Sequence, residues 1–213
     1  ALVQSRKGPL VGAVVIAAVL ITAVAIWARW RHVENRYRFE EVTAGELYRS
    51  RQVRPHRADD LEEIGVRTVI NLRTQHEDEE AFEREKQALA DLDIEMVHIP
   101  MVKLLPSDEQ LVRFLRAVRR PGAALVHCEH GRSRTGITVA AYRVLLERED
   151  PQAALEEANR MAEGDQWDED EQTRALAYLR RLAENRSHWL RRIATRPATR
   201  PTTRAALEPA GSG

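Results

Sequence analysis

Cys128, the only cysteine in the 213-residue chain, opens the run Cys128-Glu129-His130-Gly131-Arg132-Ser133-Arg134-Thr135-Gly136. It follows directly on Ala124-Leu125-Val126-His127, a short apolar segment of strand character, and a helical pattern begins where the run ends. A strand, a tight loop and a helix N-terminus in succession aim backbone N–H groups and the positive end of a helix dipole at one point. A free thiol has a pKa of about 8.5 and is mostly protonated at neutral pH, but this location, with Arg134 nearby, favours the nucleophilic thiolate. Arg134 stands six positions after Cys128. A loop curling round a tetrahedral oxyanion therefore returns it to the same ligand, where its planar guanidinium grips two oxygens at once. Gly131 and Gly136 permit positive φ and close backbone approach. Thr135 supplies a hydroxyl able to donate to the sulfur or to orient a water.

These residues need a frame. Leu47–Ser50, Val66–Leu72, Ile94–Ile99 and Ala124–His127 read as strands, the second and last bounded by Gly65 and by Pro121-Gly122. Helical patterns fall between and after them. Ala58–Ile64 stops at Gly65, Glu77–Ala90 is strongly charged, and Asp108–Arg119 opens on Ser107 and Gln110 in capping-box spacing. Gly136–Arg148 ends at Asp150-Pro151, which starts Gln152–Glu163, and Glu169–Asn185 follows Gly164. Strands alternating with helices predict an α/β fold, a central mostly parallel sheet flanked by helices in three layers, with its ligand site beyond the carboxyl ends of the strands.

The run His127–Gly136 resembles the signature loop of the cysteine-based protein tyrosine and dual-specificity phosphatases: Cys, five residues, then Arg and Ser or Thr. The resemblance extends in order through Leu47-Tyr48-Arg49-Ser50-Arg51-Gln52, Val69-Ile70-Asn71-Leu72-Arg73, His98-Ile99-Pro100-Met101 and Ala141-Tyr142-Arg143. These match the compact bacterial dual-specificity-like members over roughly residues 45–165. It implies Cys128 as attacking nucleophile and Arg134 as phosphate clamp. The amides of Glu129, His130, Gly131, Arg132, Ser133 and Arg134 would form the phosphate cradle. Thr135 would assist turnover of a phosphocysteine, and His127 would position and activate the thiolate. The implied reaction is two-step hydrolysis of a phosphate monoester with no metal and no cofactor, on phosphorylated protein or on a phosphoinositide or inositol phosphate.

The family also places an acid after the strand ending Ile-Pro, where this chain has Met101. Asp108 is the nearest carboxylate on that loop and is the candidate general acid, although a first-turn residue favouring the helix dipole accounts for it equally well. Glu129 is a second candidate. His130 and Arg132 would put cations at the mouth, which predicts a substrate with more than one phosphate. Arg49 and Arg73 stand near strand ends and could line the pocket, although strand capping or a surface ion pair is the simpler role for each. His32, His56, His76, His98 and His188 lack metal-ligand spacing. Two alternatives stay open: a rhodanese-type sulfurtransferase, and a catalytically weak phosphate-binding or scaffold module, the latter suggested by Met101.

Hydrophobic residues make up 43% and charged residues 31%, a globular balance, with 33 basic against 33 acidic side chains. A neutral total argues against a nucleic-acid partner, and a single cysteine excludes an intramolecular disulfide. The total is unevenly spread. Residues 1–40 and 187–213 hold 11 basic and 3 acidic side chains, leaving 22 against 30 between them. After a flank at 1–8, residues 9–28 form an uncharged apolar run, the length of a transmembrane helix or uncleaved signal anchor. Two basic residues precede it and Arg29, Arg31, Arg36 and Arg38 follow, which predicts a single-pass protein of a bacterial inner membrane with its body cytoplasmic. Residues 29–41 read as a juxtamembrane linker, 42–190 as the catalytic domain, and 191–213 as a disordered, proline-containing basic tail.

Overall fold

A computed structural model describes residues 15–25, 39–162 and 167–194. Among these, five strands form one sheet: β1 (Glu40–Thr43), β2 (Leu47–Ser50), β3 (Val66–Asn71), β4 (Glu95–His98) and β5 (Ala123–His127), in the order β1-β2-β5-β3-β4. All neighbours pair in parallel except β1 with β2. Residues 15–25 are helical and designated α1. The other helices are α2 (Ala58–Glu63), α3 (Glu79–Ala90), α4 (Asp108–Val118), α5 (Ser133–Tyr142), α6 (Pro151–Met161), α7 (Glu169–Glu184) and α8 (Arg186–Ala194).

Side chains alternate across a strand, so neighbours on β5 enter opposite cores. Leu125 joins a smaller cluster with Val69, Leu61 of α2 and Leu89 of α3. Ala124 and Val126 join the larger one, with Ile70, Phe114 of α4, Ile137 of α5, Leu155 of α6, Leu179 of α7 and Trp189 of α8. The result is the expected three layers around a β5 buried at every residue. A parallel strand covered on both faces must be apolar throughout. The carboxyl end of β5, where Cys128 stands, therefore lies at the centre of the sheet.

Local chemistry sets the helix ends. Ser107 accepts from Gln110 N while the Gln110 side chain accepts from Ser107 N, the capping box read from the sequence. Asp150 accepts from Gln152 N and Ala153 N, with Pro151 in the first turn of α6.

The structure departs from the sequence expectations at several places. Strand β1 was not expected, because Glu40-Glu41-Val42-Thr43 carries one apolar residue; it forms through a tight turn in which Gly45 takes φ +66°. Helix α5 starts at Ser133 rather than Gly136, since the loop runs straight into its first turn, and a π-helical turn, Arg143–Glu147, ends it. The packed chain also passes the expected limits of 42 and 190. Phe39 stacks on Tyr48 with centroids 5.3 Å apart, and α8 buries Trp189 and Ile193, so its residues 191–194 are not part of a tail.

The anchor expectation is not met among the described residues, where no helix is long and apolar enough to cross a membrane. Of the apolar run, residues 15–25 are described and are helical. The rest of 9–28, all of 1–8, and most of 29–41 and 191–213 lie outside the described residues.

Phe114 is buried where α4 meets the larger core. Phe114→Ala is expected to remove about 3–5 kcal/mol of stability, read as a lowered midpoint in urea unfolding followed by circular dichroism.

Candidate active site

The loop Cys128–Arg132 joins β5 to α5 and is pinned from below. Gly131 takes φ +67°, and a Cβ there would lie 2.4 Å from the carbonyl oxygen of Ser50. Only glycine fits so close a backbone approach. The buried Arg49 donates from Nη2 to Gly131 O at 2.9 Å, and Gln52 N donates to Glu129 O at 3.2 Å. Arg49 is thus neither a strand cap nor a surface group, as its position near a strand end had suggested. It is a buried guanidinium holding the loop.

The Cys128 thiol is 3% exposed. Burial alone would raise its pKa, yet it is lowered, because the Thr135 hydroxyl, the N–H groups of Thr135 and Arg132 and the Arg134 charge all stabilise the thiolate. Thr135 Oγ1 is buried and has no other partner, which leaves its hydroxyl free to donate to the sulfur as a thiolate. Beneath lies His127, fully buried, with Nδ1 3.0 Å from Cys128 O and Nε2 2.6 Å from Glu85 Oε1. Burial disfavours the imidazolium, but the Glu85 charge and hydrogen bond outweigh it and the pKa of His127 is raised.

Arg134 Nη1 and Nη2 meet Glu77 Oε1 and Oε2 at 2.5 and 3.0 Å, and Nη1 also donates to Met101 O at 3.2 Å. Burial would raise the Glu77 pKa, but hydrogen bonds from Arg134 and Thr74 hold it at about 2. A guanidinium has five N–H donors. Glu77 and Met101 engage three of them on the Nη edge, leaving the fork of Nε–H and the second Nη2–H for an anion. Ser133 and Arg134 also line a cavity of about 340 Å³ with Glu77, Val102, Lys103, Leu104, Trp167 and Glu171.

The other expected residues fall as follows. Glu129 and His130 are exposed, their side chains 3.8 Å apart, so the expected cation at the mouth sits beside a carboxylate. Arg132 is the N-cap of α5 and is partly buried. Asp108 is not at the site: its carboxylate is held by Arg181 at 3.5 Å and Arg192 at 3.2 Å, on α7 and α8. Its place in the first turn of α4 turns it to those helices. Glu77 and Glu85 were not picked out from the sequence, because each lies in a charged segment that reads as a solvated helix face. Their one sequence signal was the run Asn71-Leu72-Arg73.

A family model described as PTP-NADK, DSP-PTPase phosphatase fused to NAD+ kinase, matches residues 21–175. The chain belongs to that family. It is also 34% identical over 137 residues to the dual specificity protein phosphatase TpbA of Pseudomonas aeruginosa strain UCBPP-PA14, covering 63% of this chain and 58% of that protein. It thus spans less than two thirds of the length of that curated relative. The crystal structure of P. aeruginosa TpbA superposes with a TM-score of 0.57 at 27% identity, over 73% of this chain and 92% of that one. A complex of a cysteine-to-serine form of TpbA with pTyr gives a TM-score of 0.50 at 30% identity, over 66% and 85%. The rhodanese-type alternative finds no support in these relatives.

Two outcomes are expected at the loop. Gly131→Ala, which forces Cβ onto Ser50, should abolish vanadate binding measured by calorimetry. Thr135→Val removes a donor to the sulfur, so the pH midpoint for alkylation of Cys128 by iodoacetamide should move up from its lowered value toward about 8.5, the ordinary thiol value.

Proposed function

We propose that the protein is a cysteine-dependent phosphatase that hydrolyses phosphate monoesters through a phosphocysteine. The observation that carries this reading is a buried thiol, its pKa lowered by Thr135 and loop amides, beside a guanidinium with one bidentate edge held and the other open. The phosphoryl oxygens occupy the amides of Glu129–Arg134 and the Nε edge of Arg134. Cys128 sulfur attacks phosphorus in line, the S–P bond forms as the P–O bond to the leaving group breaks, and water then releases phosphate and restores the thiolate. Positioning and fixed dipoles supply the acceleration.

The leaving oxygen departs as an anion unless a proton reaches it. Among the described residues, Glu77 stays ionised down to about pH 2 and Asp108 is engaged elsewhere, which leaves Glu171 in the cavity lining and Glu129 on the loop as the nearby carboxylates. Esters of acidic alcohols need the least help from either. Phosphotyrosine, whose phenol is far more acidic than the serine or threonine hydroxyl, is the preferred class, in keeping with the pTyr bound to TpbA. A second reading, a phosphoinositide or inositol phosphate, is favoured by a groove of about 800 Å³ beside Glu129, lined by Arg51, Arg54, His56, Arg73 and Arg84. A further proposal concerns location. The side chains of Val15, Ile16, Leu20 and Ile21 on α1 are more than half exposed, which supports attachment of the apolar run 9–28 to a membrane, the body cytoplasmic.

Release of phosphate from an aryl phosphate should be lost in Cys128→Ser and in Arg134→Ala and blocked by vanadate in the parent. A parent that binds vanadate without turnover would instead make the chain a phosphate-binding module. Asp108→Asn should leave the ratio of rates on alkyl and activated aryl phosphates unchanged; selective loss on the alkyl ester would return Asp108 to the mechanism. Phosphotyrosine peptide is expected to be cleaved faster than a soluble phosphoinositide, and the reverse order would favour the groove.

A further inference from the structure

Arg73 was expected to cap a strand or pair at the surface, with a place in the pocket lining as the alternative. It is 4% exposed and sits in a closed polar ring under the site. Its Nη1 donates to Gln52 Oε1, and Gln52 Nε2 donates to Glu85 Oε2 at 3.3 Å. Glu85 Oε2 also accepts from Asn71 Nδ2 at 3.1 Å, and Asn71 Oδ1 accepts from Arg73 N at 2.8 Å, which closes the ring. Two arms leave it. From Glu85 Oε1 one passes to His127 and so to Cys128. From Arg73 Nε, 3.3 Å from Glu77 Oε2, the other passes to Arg134.

We propose that Arg73 is a positioning residue that ties the nucleophile to the phosphate clamp. It faces one carboxylate directly and orients the amide groups that hold the second. A partly satisfied buried network would let both carboxylates turn away from their partners. With Gln52 and Asn71 fixed on Oε2, Glu85 keeps Oε1 on His127. With Arg73 on Oε2, Glu77 keeps its plane square to the Nη edge of Arg134. The titratable and charged groups around the thiol are His127 beneath it, Arg134 on α5 and Arg49 on β2, and those around the ring are Glu85 on α3, Glu77 ahead of it and His98 on β4, whose Nε2 lies 2.8 Å from Arg73 O. Loss of Arg73 should thus be felt at two atoms that it does not touch, the Cys128 sulfur and the Arg134 guanidinium.

The inference rests on the phosphatase reading, but its test does not require turnover. Arg73→Met is assayed for the pH midpoint of iodoacetamide alkylation and for vanadate affinity. The midpoint should rise above that of the parent, and vanadate should bind about tenfold more weakly, a typical coupling between neighbours in one network. In turnover of an aryl phosphate, KM should rise together with a fall in kcat. Should Arg73→Met fail to fold, Gln52→Leu opens the same ring from its less buried side and should shift both readouts in the same directions. A folded variant of either kind with midpoint and vanadate affinity equal to the parent overturns the proposal, whatever its melting temperature. A parent that is inert toward aryl phosphate, with both shifts present in the variant, would instead sink the phosphatase reading and leave the positioning role standing.

Discussion

Stabilising a thiolate on a residue only 3% exposed is the constraint to which the rest of the structure answers. Removing an anion from water is costly unless fixed donors replace the solvent. Here the replacement comes from the end of β5 and the first turn of α5, whose N–H groups converge, from the Thr135 hydroxyl, and from Arg134. Each donor is useful only if the loop cannot relax. The sheet therefore carries β5 at its centre, and Arg49, Gln52 and Gly131 lock the loop to the strand beside it.

The same requirement explains why so many charges lie beneath the surface on one side. Burial would lower the pKa of His127, but the facing Glu85 carboxylate raises it, and Glu85 is in turn held by Asn71 and Gln52. Arg134 faces the opposite demand. It has to meet an arriving phosphate without reorganising, so Glu77 and the Met101 carbonyl fix one edge of the guanidinium and leave the other open. Catalysis by preorganisation means that such orientation is settled during folding rather than at the moment of reaction.

Much of this was legible from residue order. Cys128, Arg134 and Thr135 stand together because they are contiguous in a loop, and contiguity is what a sequence displays. The central strands β3 and β5 were legible because burial on two faces forces apolar runs such as Ala124-Leu125-Val126. The partners of the loop were not, since Glu77 and Glu85 reach it through tertiary packing from a segment whose composition reads as surface. Asp108 misled for the same reason: nearness in sequence to Pro100 says nothing of α7 and α8, whose arginines hold it. Edge strand β1, with one apolar residue, is specified by its pairing with β2 rather than by its own pattern.

In the proposed reaction Cys128 carries the phosphoryl group between the two steps. Rapid acid quench of the protein during turnover of an aryl phosphate, followed by peptide mass spectrometry, tests this directly. A phosphate adduct on the peptide containing Cys128, absent from Cys128→Ser and gone once substrate is exhausted, is the predicted result. Steady turnover with no adduct on Cys128, or with the phosphate on another residue, would contradict it.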